Sequence, residues 1–276
     1  VQTLSRVNHL QRFDPDDFDY IVMDEFHHAT ARTYRRLIDY FEPKFTLGLT
    51  ATPERMDGGD LLALCQYNRV YRCNIPRAIE ENLLCPFHYY GVPDDVDYEQ
   101  IPWRNRRFDT EVLTQHWATQ QRAQNALEQY QKRKGTRTLA FCCSVEHANF
   151  MRDFFSDAGV RAAAVHSGPS ADSRTLSLEQ LDAGKIDIVF AVDMFNEGVD
   201  VPSIDTVLML RPTESKTVWL QQLGRGLRAL EGKVLRVIDY IGNHRAFRIK
   251  PEVLFEVLMG IGPGRGEVAK ALQKVR

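Results

Sequence analysis

Phe18-Asp19-Tyr20-Ile21-Val22-Met23-Asp24-Glu25-Phe26-His27-His28 is the stretch from which the fold can be read. A short apolar run ends on two carboxylates. A run of this length that stops at a polar pair predicts a strand over Tyr20–Asp24. Moving outward, similar runs predict strands at Phe45–Thr50, Thr138–Cys143, Ala162–His166, Ile186–Val192, Thr206–Leu210 and Leu235–Tyr240. Helical patterns alternate with them at Ala31–Phe41, Thr110–Lys134, Val145–Asp157, Ala171–Asp182 and Thr217–Ala229. Gly135 closes the longest of these. Alternating strands and helices predict an α/β fold built on parallel sheets.

A chain of 276 residues sets a prior of roughly two domains. With 43% hydrophobic and 26% charged residues, globular cores are expected. The net charge of -2 supplies no overall attraction to nucleic acid, so any such binding needs local patches. No run approaches the roughly 18 apolar residues of a membrane span. Cys65, Cys73, Cys85, Cys142 and Cys143 form no Cys-x-x-Cys pair, which points to a reducing, cytoplasmic setting. From about 74 to 107 the character changes: Pro76, Pro86, Pro93 and Pro102 interleave with Asp94, Asp95, Asp97 and Glu99. This reads as a crossover between domains, with a short strand at Phe87–Val92. Beyond Pro251 a helical stretch leads to a loop marked by Gly260, Gly262, Gly264 and Gly266.

Two groups of residues carry chemistry. A carboxylate at the carboxyl end of a parallel strand lies at the sheet edge where ligands bind. Asp24 there suits Mg²⁺ held partly through water, and Glu25 suits orienting or deprotonating an attacking water. The plainer alternative is that both residues cap the following helix. The second group is Gln221-Gln222-Leu223-Gly224-Arg225-Gly226-Leu227-Arg228. Two arginines three apart on a helix suit phosphate stabilisation, against the alternative of a solvated basic face. Two glycines are unfavourable in a helix unless its backbone must approach something closely, which weighs against the plain reading. His28, His116, His147 and His244 read as ordinary histidines. Trp103, Trp117 and Trp219 read as packing residues, and Arg104, Arg106 and Arg107 as a linker charge run.

In this order the pieces resemble the motor of a superfamily 2 helicase or translocase, in the DEAH-like branch with restriction-enzyme motor subunits and repair helicases. Asp24-Glu25-Phe26-His27 resembles motif II and Thr50-Ala51-Thr52 motif III. Leu139 through Ser144 is similar to motif IV, and Val165-His166-Ser167-Gly168 to the nucleic-acid-contacting segment that follows. Asn196 through Pro202 resembles motif V, and Gln221 through Arg228 motif VI. The resemblance implies two RecA-like parallel-sheet domains and an ATP-dependent motor that moves on nucleic acid, DNA rather than RNA, with ATP and Mg²⁺. It assigns Asp24 to the metal, Glu25 to water activation, and Arg225 and Arg228 to the phosphates. His27 would sense Gln221 or motif III, whose Thr50 and Thr52 couple hydrolysis to movement. Gly198 and Asp200 would lie at the nucleotide's edge, and Thr3, Ser144, Ser167 and Gly168 would touch the nucleic-acid backbone.

Two departures accompany the resemblance. Motif V usually carries Thr-Asp where this chain has Val192-Asp193, so one hydroxyl contact is missing. No Gly-x-x-x-x-Gly-Lys-Ser/Thr phosphate loop occurs, and only 23 residues precede Asp24. The expectation is therefore a piece of a longer protein, with a first domain truncated at its N-terminus. Residues 1–75 would be the later part of the ATP-binding domain, 76–107 the crossover, and 108–276 the helicase C-terminal domain. A first sheet of this kind should expose apolar surface, and the chain alone should hydrolyse ATP negligibly. Flanking domains, a nuclease among them, are compatible with it. The competing class is a nucleotide-independent nucleic-acid-binding or scaffold fragment.

Overall fold

The computed structural model describes residues 7–51, 61–94, 96–104, 107–192, 201–212 and 215–242. The chain divides into two compact units, Val1–Arg72 and Cys73–Arg276. The tail after Pro251 and its glycines lie outside the described residues.

The first unit runs α1 (Val7–Leu10), β1 (Tyr20–Met23), α2 (Arg32–Tyr40) and β2 (Phe45–Gly48). β1 and β2 pair in parallel, Tyr20 opposite Phe45 and Met23 opposite Gly48. Both strands stop one or two residues short of the sequence expectation, because the chain turns at Asp24 and Leu49. Tyr20 is 72% exposed and Val22 62%, so one face of this small sheet carries apolar side chains in the open, as expected. Its core is small: Phe26, Ala29 and Leu61.

The second unit holds α3 (Ile75–Glu80), β3 (Phe87–Pro93), the ribbon β4 (Trp103–Arg104) and β5 (Arg107–Phe108), then α4 (Thr110–Trp117) and α5 (Gln120–Arg133). It continues through β6 (Thr138–Phe141), α6 (Val145–Asp157), β7 (Ala162–Val165), α7 (Arg174–Asp182) and β8 (Ile188–Ala191). β9 (Thr206–Met209), α8 (Lys216–Gly226) and β10 (Leu235–Ile241) complete it. Six strands form one parallel sheet in the order β3-β10-β9-β6-β8-β7. β6, β8 and β9 are buried at every position, which is why they read as unbroken apolar runs. One face packs on Trp117, Tyr130, Met151 and Phe155, the other on Trp219, Leu223 and Leu227.

Three differences from the sequence reading have local causes. The strand expected at Phe87–Val92 within the crossover is present as β3, one residue longer, but it is an edge strand of the second unit's sheet, paired with β10. Thr110–Lys134 is two helices, not one. Asp109 caps the first by accepting from the Glu111 and Val112 N–H groups, and Thr119 caps the second through the Arg122 N–H. The break seats Trp117 in the core with the Arg122 guanidinium 3.5 Å from its ring centroid. α7 begins at Arg174, not Ala171, because Ser173 caps it by accepting from the Leu176 N–H.

A buried polar network ties the segment after β3 to the helices. Arg122 pairs with Asp94, which also accepts from the Tyr98 hydroxyl, and Arg122 lies over the Tyr240 ring at 4.7 Å. Burial and the Asp94 charge hold the Tyr98 phenol protonated well beyond the usual range, against the opposing pull of Arg122.

Candidate functional site

At the end of β1 the chain makes a sharp turn. Glu25 adopts left-handed backbone angles (φ 49°, ψ 47°), a conformation that costs a non-glycine residue about 1–2 kcal/mol. Asp24 Oδ1 accepts the Glu25 N–H at 2.9 Å, and the Phe26 N–H donates to Leu49 O at 2.8 Å. Phe26 anchors the turn: a Cβ on Gly48 would lie 2.5 Å from its ring, so only glycine lets that ring lie on β2. Neither carboxylate caps a helix. Glu25 makes no side-chain cap to the short 3-10 turn Phe26–His28, and α2 starts later, behind Ala31. The capping alternative is thereby removed.

His27 is buried and brings two of the expected residues together. Its Nδ1 lies 3.2 Å from Glu25 Oε2 and 3.2 Å from Thr50 Oγ1. The acidic turn after β1 and the hydroxyl after β2 are therefore linked through one ring. Thr52 and Thr3 lie outside the described residues.

In the second unit α8 carries Arg225 but ends before Arg228, short of the expected Thr217–Ala229. Arg225 is in its last turn, with Nε donating to Gln221 O at 3.3 Å, and Arg228 stands two residues past the helix end. The glycines divide in role. A Cβ on Gly226 would meet Leu235 at 2.4 Å, so this glycine lets α8 lie on β10; Gly224 faces open space. Buried Asp239 on β10 accepts from the Trp219 indole at 3.1 Å and the Tyr89 hydroxyl at 2.9 Å, fixing α8 to the sheet. Sequence reading missed Asp239, which looks like one more acid in an apolar run. Gly198 and Asp200 lie outside the described residues.

At the carboxyl ends of β6 and β7 the expected nucleic-acid contacts are partly engaged internally. Ser144 Oγ accepts the His147 N–H at 3.1 Å as the cap of α6 and lies 2.8 Å from Thr114 Oγ1. His166 Nδ1 accepts the Gly168 N–H at 3.0 Å, which leaves Nε2 to donate to Asn149 Oδ1 at 3.1 Å. Burial and the nearby Arg152 charge push the His166 pKa down, consistent with a neutral ring. Ser167 is exposed between these anchored neighbours. His147 is buried with its pKa lowered to about 3, by burial first and the Arg122 charge second.

No three His, Cys, Asp or Glu side chains among the described residues gather as a metal cage. Asp24 is exposed at a strand end with one carboxylate oxygen holding its own turn. One or two carboxylates completed by water and phosphate is the donor set magnesium takes in nucleotide sites, so these residues fit an ion that arrives with the nucleotide. No helix among the described residues is long and apolar enough to cross a membrane.

Comparison with known proteins agrees with this architecture. The family model for the helicase conserved C-terminal domain matches residues 121–230, and that for the res subunit of type III restriction enzymes matches residues 1–55. A Saccharomyces cerevisiae protein named as an ATP-dependent helicase, IRC3, is 28% identical over 88% of this chain and 36% of its own length. A solved fragment of a Vibrio vulnificus protein assigned as the HsdR subunit of a type I restriction enzyme is 26% identical, with a TM-score of 0.67 over 85% of this chain and 46% of that one. The ATP-dependent Type ISP restriction-modification enzyme LlaBIII, solved bound to DNA, shares the fold: TM-score 0.61 and 15% identity over 91% of this chain and 21% of that one. The fold is that of RecA-like helicases, with two of their domain models matched. Over residues 1–55 and 121–230 the chain is similar to the superfamily 2 helicases and translocases. It spans about half or less of the length of these relatives.

Proposed function

We propose that the chain is part of an ATP-dependent motor that couples ATP hydrolysis to movement along nucleic acid, with DNA as the track. The observation that carries this reading is the turn after β1, where His27 joins Glu25 to Thr50. Glu25 orients and deprotonates the attacking water, while the His27–Thr50 pair passes the state of that site to the segment holding Thr50 and Thr52. Asp24 would hold Mg²⁺, which neutralises phosphate charge when bound with ATP. Arg225 and Arg228 stabilise the departing phosphate, with Gln221, Gly198 and Asp200 on the nucleotide. Thr3, Ser144, Ser167 and Gly168 contact the nucleic-acid backbone, a mode that positions without reading sequence.

In this reading residues 1–75 belong to the ATP-binding lobe, 76–107 lead out of it, and 108–276 form the helicase C-terminal lobe. DNA is favoured by the 26% identity to the restriction-enzyme HsdR fragment, and a cytoplasmic setting by five free cysteines. A nucleotide-independent scaffold is not favoured, since the carboxylate pair and both arginines would then be unexplained.

The test is Mg²⁺-dependent ATP hydrolysis by these 276 residues and by the full-length protein, with duplex DNA, RNA or neither. The 276 residues should be silent, and the full-length protein should turn over ATP with stimulation by DNA. Absence of turnover in the full-length protein contradicts the motor, and equal stimulation by RNA contradicts the track. Glu25-dependent turnover by the 276 residues alone contradicts the need for a phosphate loop elsewhere.

A further inference from the structure

Lys233 is only 8% exposed and forms no ion pair among the described residues. Its ammonium instead donates to two backbone carbonyls, Pro202 O at 2.7 Å and Arg228 O at 2.8 Å. A buried ammonium is unfavourable unless such acceptors surround it. Burial pushes its pKa down, with Cys85 and Asp205 pulling the other way.

The two carbonyls belong to different parts of the proposed site. Arg228 is the second arginine of the phosphate pair, and Pro202 follows Asp200 by two residues. A helix end leaves carbonyls without intrahelical partners, and here two of them and the next carbonyl along are met by donors. Gly226 O accepts from the Cys85 thiol at 3.5 Å, Leu227 O from the Cys85 N–H at 2.9 Å, and Arg228 O from Lys233. The return is made by a tight turn in which Gly232 has a φ of 72° and the Lys233 N–H donates to Leu230 O at 3.1 Å. That turn brings a lysine five residues on back beneath Arg228. Cationic charge at a helix C-terminus also suits the helix dipole.

Resting on the proposed ATPase function, we infer that Lys233 is a positioning residue: it ties the backbone of Arg228 to that of Pro202, so that the arginine-bearing end of α8 and the backbone at Val201 and Pro202 move as one body. Displacing either segment breaks a charge-assisted hydrogen bond from a largely buried ammonium.

The test uses the full-length protein with Lys233→Met, Arg228→Ala and the double variant. Methionine keeps the unbranched apolar stem and removes the ammonium. Lys233→Met should lower kcat about tenfold with KM for ATP within about twofold, and add no further loss on top of Arg228→Ala. Multiplicative losses, or an unchanged kcat, would overturn the inference, because a lysine that only stabilises the fold does not act through Arg228. If the unaltered protein hydrolyses no ATP, the functional reading fails first, and the link itself is read in the 276-residue chain. There Lys233→Met should speed amide exchange at Ile204 and Cys85 about tenfold while Leu139–Phe141 stay protected. Unchanged exchange at both contradicts the tie. Should that variant not fold, the unaltered chain decides: its Lys233 ammonium signal should persist in a lysine-labelled sample at neutral pH, and exchange at the rate of a solvated lysine refutes the link.

Discussion

The two units carry similar pieces in opposite surroundings. In the first, a two-stranded sheet leaves Tyr20 and Val22 open, and the Lys44–Asp19 ion pair (2.7 Å) has side chains 78% and 59% exposed. In the second, a six-stranded sheet is buried at its centre, and its Arg122–Asp94 pair is enclosed by Trp117 and Tyr240. The same chemistry therefore has different weight in each. An ion pair in water contributes little, whereas one buried partner left alone is a large penalty. The first unit offers a strained turn at the proposed catalytic carboxylates on a small base, and the second offers a broad platform for α8.

Breaking the buried pair should give the largest effect. Asp94→Ala should lower the stability of the second unit by about 3–5 kcal/mol, while Asp19→Ala changes the first by less than about 1 kcal/mol. Urea unfolding followed by tryptophan fluorescence reads the second unit selectively, since Trp103, Trp117 and Trp219 all lie in it.

Acid should come next. The folded-state pKa of His147 is lowered to about 3, below the ordinary value of 6.5, so below pH 6.5 the unfolded chain binds a proton that the folded one refuses. Its contribution to stability is whole above pH 6.5 and is lost as pH falls toward 3, at about 1.4 kcal/mol per pH unit. His147→Gln should flatten that slope in unfolding measured at stepped pH.

The glycines of α8 sharpen the comparison within a single helix. Gly226→Ala should destabilise by about 1–3 kcal/mol, because its Cβ meets Leu235 at 2.4 Å. Gly224→Ala has open space and should stabilise by up to about 1 kcal/mol. Thermal melts of the two variants should move in opposite directions. The smallest effect falls in the first unit, where Glu25→Gly relieves the left-handed backbone and should change stability by no more than about 1 kcal/mol in its favour. The same change should abolish ATP turnover in the full-length protein.

How much of this was legible follows from where each signal resides. β6, β8 and β9 lie between neighbours with both faces covered, so their sequences are apolar throughout and their positions could be read to within two residues. α6 was read to the residue because Ser144 and the apolar spacing agree. The break at Ala118 was not read, because Thr119 is an ordinary helix residue until tertiary packing seats Trp117. Asp94 looked like one acid among four in a linker, since its partner Arg122 is 28 positions away. Asp239 and Lys233 escaped for the same reason: a polar residue beside apolar ones reveals nothing about which distant donor or carbonyl it meets. The carboxylate pair and the two arginines were legible as candidates because their spacing is local, but the left-handed turn at Glu25 was not.

The most direct test of the central claim is single-turnover ATP hydrolysis by the full-length protein on DNA, comparing Glu25 with Glu25→Gln. The account predicts that glutamine slows the chemical step by about a hundredfold or more while ATP still binds. Hydrolysis by Glu25→Gln at the unaltered rate would contradict it.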